Sequence, residues 1–164
     1  MRLTFAAPDF MRRGVLVSFV AVGNKLPKTT VKLNQLTKGA VKRAIQNSRF
    51  NGNYGQTLTL LSPPGLKAGR LLLLGIGKAT KLDALSVQQL GGTIYKSISM
   101  SGEKSAGVFI EPIEGSKISA PNLAANIAYG CYLRSYRFDK YRTQEMAEDK
   151  PSVTNVTLLL KNFL

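Results

Sequence analysis

The stretch Gly14–Val22 reads GVLVSFVAV, apolar at odd and even positions alike, and it constrains the fold more than any other segment. A strand with one face in water alternates apolar and polar residues, whereas one rich in Val, Leu and Phe on both parities is covered on both sides. That is the environment of a central strand in a mainly parallel sheet. At 11 residues, the uncharged run Gly14–Asn24 is also far short of the roughly 20 needed to span a membrane. Arg12 and Arg13 precede the run, but no small-residue cleavage site follows it, so an export signal is not expected.

Further strands are predicted at Arg2–Phe5, Gln56–Leu61, Arg70–Gly75, Ala106–Ile110 and Val153–Leu160. Ser62-Pro63-Pro64-Gly65 favours a turn between the second and third of these, as a hairpin or a crossover. Helical spacing appears in three places. In Val31–Phe50, Leu33, Leu36, Ala40, Ala44 and Ile45 form one stripe, with Thr29 or Thr30 as a candidate cap. Asp83–Ser101 repeats through Leu85, Leu90, Ile94 and Ile98, with Gly91-Gly92 as a sign of close packing. Ser119 or Ala120, followed by Pro121, opens a third helix running to about Arg137. Alternating strands and helices in 164 residues predict one α/β domain, a three-layer mixed sheet with helices on both faces.

The chain has no histidine and a single cysteine, Cys131. It therefore forms no intramolecular disulfide, which suits a reducing, cytoplasmic setting. The usual Cys and His zinc sites, and nucleophiles activated by histidine, are excluded. Cys131 lies among tyrosines in the third helix and is expected to be a buried, unreactive thiol.

The formal charge of +14 is uneven. Residues 1–82 hold 14 Lys and Arg against Asp9, a balance of +13, while residues 83–164 hold 9 against 8 acids, a balance of +1. Such asymmetry favours a polyanionic partner. The cations of the first helix, Lys38, Lys42, Arg43 and Arg49, are the candidate nucleic-acid contacts. The same residues also fit a solvated face or a contact with an acidic protein, with Lys38 and Lys42 neighbours on the helix surface.

Three further clusters invite a functional reading. Gly75-Ile76-Gly77-Lys78 follows a strand, where phosphate loops occur, and makes a nucleotide or ADP-ribose site a rival reading. A Walker loop, however, needs a glycine where Leu72 stands and Ser or Thr where Ala79 stands, and the third glycine of the dinucleotide fingerprint is missing at Ala79-Thr80. A tight strand exit is the simpler account. Tyr129, Tyr132, Tyr136, Phe138 and Tyr141 alternate with Arg134, Arg137, Lys140 and Arg142. Their spacing predicts that Tyr129, Tyr132 and Tyr136 pack on the sheet with the basic residues outside. Glu145, Glu148 and Asp149 fall in the charged segment Thr143–Pro151, without EF-hand spacing, and read as a solvated loop.

Four stretches together carry a family resemblance. They are KGAVKRAIQNSRFNGNYGQTLTLLSPPGLKAGRLLLLGIGK from Lys38 to Lys78, LSVQQLGGTIYK from Leu85 to Lys96, LAANIAYGCYLRSYRFDKYR from Leu123 to Arg142, and the closing VTLLL. The pairing of Gly-Xaa-Gly-Lys with a downstream Gly-Xaa-Xaa-Leu-Xaa-Xaa-Tyr-Xaa-Phe-Asp-Xaa-Tyr is fairly specific. The chain resembles the amino-terminal domain of the leucyl aminopeptidase (cytosol aminopeptidase) family. One departure is Asn53 and Tyr54 in the turn Phe50–Gly55, where relatives usually place a lysine after the first glycine.

The resemblance implies a macro-domain-like fold in residues 1–164, with a separate carboxyl-terminal catalytic domain absent from them. That domain would carry two divalent metals, zinc or manganese, with Asp, Glu and Lys ligands. No stretch of this chain matches those ligands, so no catalytic, cofactor or metal residue carries over. The resemblance also implies a hexameric parent enzyme, possible DNA binding in some bacterial members, and a monomeric isolated domain. The Gly-Asp-Ile signature of ADP-ribose-binding macro domains is missing.

Overall fold

The computed structural model describes residues 1–140 and 150–161; the side chains of 138–140 lie outside that description. The strands are β1 (Arg2–Ala6), β2 (Val15–Ala21), β3 (Thr57–Leu61), β4 (Arg70–Gly77), β5 (Ser105–Phe109) and β6 (Asn155–Leu159). The helices are α1 (Lys28–Leu36), α2 (Ala40–Gln46), α3 (Ala84–Ile98) and α4 (Ala120–Lys140). The six strands form one mixed sheet in the order β1-β6-β5-β2-β4-β3. All neighbouring pairs are parallel except β3 with β4. The segment Ser62–Gly69 therefore closes a hairpin and not a crossover.

β2 lies between β5 and β4, and its two parities serve two cores. Val15, Val17 and Phe19 face α3 and α4, while Leu16 and Val20 face α1 and α2. β4 divides in the same way, with Leu72 and Leu74 on the first side and Leu71 and Leu73 on the second. Neither strand has a polar face because neither has a wet side.

The predicted helix over Val31–Phe50 is two helices. Lys38 and Gly39 adopt positive φ of 55° and 85°, the amide of Gly39 donates to Asn34 O at 2.8 Å, and the Thr37 hydroxyl donates to Leu33 O at 2.8 Å. A glycine in the left-handed region after a last helical turn is a usual helix stop. Leu33, Val41 and Ile45 are buried, whereas Leu36, Ala40 and Ala44 are only partly covered. Neither threonine caps α1. The position before it is Pro27, and the buried Thr30 hydroxyl instead sits 2.6 Å from Ser18 Oγ and donates to Phe19 O at 2.8 Å, pinning α1 to β2.

α3 begins with a reciprocal cap between Asp83 and Ser86. Leu85, counted in the predicted stripe, is 64% exposed in that first turn; Val87, Leu90, Ile94 and Ile98 make the buried face. α4 opens at Ser119, whose hydroxyl accepts from the Asn122 amide at 3.3 Å.

The predicted packing of the tyrosines on the sheet is overturned. Tyr129, Tyr132 and Tyr136 are 50%, 50% and 59% exposed. α4 buries the opposite face, through Leu123, Ala124, Ile127, Ala128, Cys131 and Ser135. Most of these are small, because α3 and α4 approach closely. A Cβ on Gly130 would lie 1.9 Å from Gln88 O, and one on Gly91 would lie 2.3 Å from Ile127 O. Both stripes on α4 repeat at three and four residues, so periodicity alone cannot say which faces inward. Tyr141, Arg142 and the Glu145, Glu148 and Asp149 cluster lie outside the described residues, as do the side chains of Phe138 and Lys140.

Candidate functional site: a cleft at the strand ends and a basic helical corner

β5, β2 and β4 run side by side in one direction, so their carboxyl ends open together. The chain leaving β2 goes to one side of it and β5 lies on the other. In open α/β sheets such a switch of direction leaves a crevice where ligands bind. A cleft of about 650 Å³ lies there, within the usual range for small-molecule sites.

Each wall comes from one strand exit. β2 contributes Val22, Lys25, Leu26 and Lys28; β4 contributes Ile76, Lys78 and Thr80; β5 contributes Glu111, Ile113 and Glu114. Lys25, Lys28, Lys78 and Glu114 are exposed on the rim, and Ile76 is buried below them. Gly115, at φ 87°, brings the β5 exit to Ala79, with 3.6 Å between its would-be Cβ and the Ala79 Cβ.

Three backbone amides at or beside this cleft are engaged internally. Glu111 Oε1 accepts from the Thr29 amide at 3.2 Å, in the first turn of α1. Val22 N donates to Gly77 O at 3.0 Å, and Gly77 N donates to Gly52 O at 2.9 Å. The glycines of the Gly75–Lys78 run serve packing. A Cβ on Gly75 would lie 2.1 Å from Asn53 O, and the φ of Gly77 is 69°. Tyr54, in the same turn, donates its hydroxyl to Ser86 O at 2.8 Å and so ties the turn to α3. Burial, with the negative charge of Asp83 second, raises the Tyr54 pKa.

The four predicted basic contacts lie elsewhere, around the α1–α2 corner. Lys38, Lys42, Arg43 and Arg49 are all exposed. Lys38 and Lys42 are not neighbours on one helix, since Lys38 sits in the turn and Lys42 in α2. The Arg43 guanidinium donates to Lys38 O at 2.8 Å, and the Lys42 amide donates to Asn34 Oδ1 at 3.0 Å. Arg43 thus braces the corner, whereas Arg49 follows the end of α2.

Among the described residues no group of three or more His, Cys, Asp or Glu side chains could hold a metal ion. None of the described helices is long and apolar enough to cross a membrane.

The architecture is that of the macrodomain-like α/β class. The macrodomain of Mycobacterium tuberculosis DarG superposes with a TM-score of 0.64 over 96% of this chain and 97% of that one, at 11% identity. A mutant of tomato leucine aminopeptidase superposes with a TM-score of 0.75 over 98% of this chain, at 20% identity, and the match takes up 32% of that protein. Sequence narrows the class. The model of the cytosol aminopeptidase family amino-terminal domain matches residues 16–145. A probable cytosol aminopeptidase of Caulobacter vibrioides is 38% identical over 161 residues, covering 96% of this chain and 31% of that protein. The chain belongs to the cytosol aminopeptidase family, as its amino-terminal domain, and spans under a third of the length of that relative.

Proposed function

We propose that these 164 residues form a single non-catalytic domain that packs on the catalytic domain of a metal-dependent leucyl aminopeptidase and limits access to its site. The observation that carries this reading is the match to the amino-terminal family domain in a chain with no histidine and one buried cysteine. The two metals, zinc or manganese, would be held outside these residues and would activate water for attack on the peptide carbonyl. Tyr129, Tyr132, Leu133 and Tyr136 on the outer face of α4 offer apolar area for the contact between domains. The expected result is that the purified chain releases no leucine from a chromogenic amide with zinc or manganese present. Fused in place of the first third of the Caulobacter relative, it should preserve that release. Metal-dependent release by the chain alone, above a mock preparation, would overturn the reading.

A second reading, nucleic-acid binding, draws on the exposure of Lys38, Lys42, Arg43 and Arg49 at one helical corner. It is compatible with the first, because the corner and the tyrosine face belong to helices on opposite sides of the sheet.

A further inference from the structure

The cleft at the ends of β5, β2 and β4 lies in the position expected of a ligand site, and its lining differs in part from that of a phosphate site. A nucleotide pocket in an α/β fold offers free backbone amides, commonly at a helix start, to the phosphates. Here the Thr29 amide is held by the Glu111 carboxylate, and those of Val22 and Gly77 are given to backbone carbonyls. Glu111 and Glu114 set two carboxylates against a diphosphate beside the three lysines, and among the described residues the lining contains no aromatic side chain on which a base could stack.

What the cleft does present is charge of both signs around an apolar floor. Lys25, Lys28 and Lys78 stand on the β2 and β4 exits, Glu114 stands on the β5 exit, and Val22 and Ile76 lie among them. We propose that this cleft binds a small zwitterion with an apolar side chain, an α-amino acid or a short peptide. The ligand carboxylate faces the lysines, its ammonium faces Glu114, and its side chain covers the Val22 and Ile76 floor. A cleft of about 650 Å³ has room for a peptide of a few residues as well as for one amino acid. The proposal is one of binding alone, with no bond made or broken. The inference rests on the lining and stands whether or not the domain limits access to a catalytic site.

The test is a titration of the isotope-labelled 164-residue chain, followed by amide NMR, with L-leucine, dileucine, N-acetyl-leucine, leucinamide and ADP-ribose. Leucine or dileucine should give saturable shifts confined to residues 21–28, 76–80 and 111–115. N-acetyl-leucine and leucinamide, each lacking one charge, should bind about tenfold more weakly or worse. Glu114→Gln should weaken leucine and leave N-acetyl-leucine unchanged, while Arg49→Gln, outside the cleft, should change neither. Tighter binding of dileucine assigns the site to peptides, and tighter binding of leucine assigns it to free amino acids. Equal binding of N-acetyl-leucine, preference for ADP-ribose, or no saturable shift up to roughly 20 mM leucine would overturn the proposal.

Discussion

Cys131 shows how one side chain reports its surroundings. It is fully buried on α4, and its thiol lies 3.2 Å from Gly91 O, to which it donates. Burial pushes its pKa from an ordinary 9.0 to about 12. The folded chain therefore keeps its proton where the unfolded chain loses it. This contribution to stability is intact below pH 9.0 and falls away as pH rises toward about 12. A thiol reagent at pH 8 is expected to label the denatured chain fully and the native chain not at all. Native labelling at the denatured rate would show that the α3–α4 seam is open. The burial was expected from the place of Cys131 among tyrosines, yet those tyrosines lie on the exposed face of α4, and its partner Gly91, 40 residues away, was not legible. Nor was the bracing of Lys38 O by Arg43, since charge alone does not separate a cation that holds a turn from one facing solvent.

At the level of helices, the α3–α4 contact rests on two glycines of three. Gly91 and Gly130 each stand where a methyl group would meet backbone of the opposing helix, but the nearest atom to a Cβ on Gly92 is 3.9 Å away. Gly130→Ala is expected to cost about 1–3 kcal/mol by overpacking against Gln88. Gly92→Ala should gain about 0.5–1 kcal/mol from helix propensity. Thermal melts of both variants check this, and equal shifts would refute the packing. The glycine pair was visible in the sequence; which member packs depends on the rotation of α3 about its axis. The same ambiguity explains the tyrosines. α4 carries an aromatic stripe and a small-residue stripe at the same period, and the close approach of α3 leaves room only for the small one. In the α1–α2 segment, the apolar spacing continued across Gly39 although the backbone did not, because a left-handed turn of Lys38 and Gly39 can keep both helices facing one core.

Across the whole molecule, the excess of +13 in residues 1–82 is divided: Lys38, Lys42, Arg43 and Arg49 make the basic corner on the α1–α2 side of the sheet, while Lys25, Lys28 and Lys78 line the cleft at the strand ends. If the corner binds nucleic acid, affinity for duplex DNA should fall steeply with salt. Replacing Lys38, Lys42, Arg43 and Arg49 by alanine should then reduce the logarithmic slope by up to about 0.9 for each phosphate no longer neutralised. Binding titrations at several salt concentrations measure it, and an unchanged slope would remove this reading. The sequence by itself determined the α/β class, the central place of β2 and the lack of histidine chemistry, because hydrophobic parity and residue types are local properties. Only the tertiary structure decided that β3 and β4 form a hairpin, which face of α4 is inward, and that three strand exits separated by up to 90 residues enclose one cleft. Those outcomes depend on strand order and helix rotation, which arise from long-range packing and leave no periodic trace in the chain.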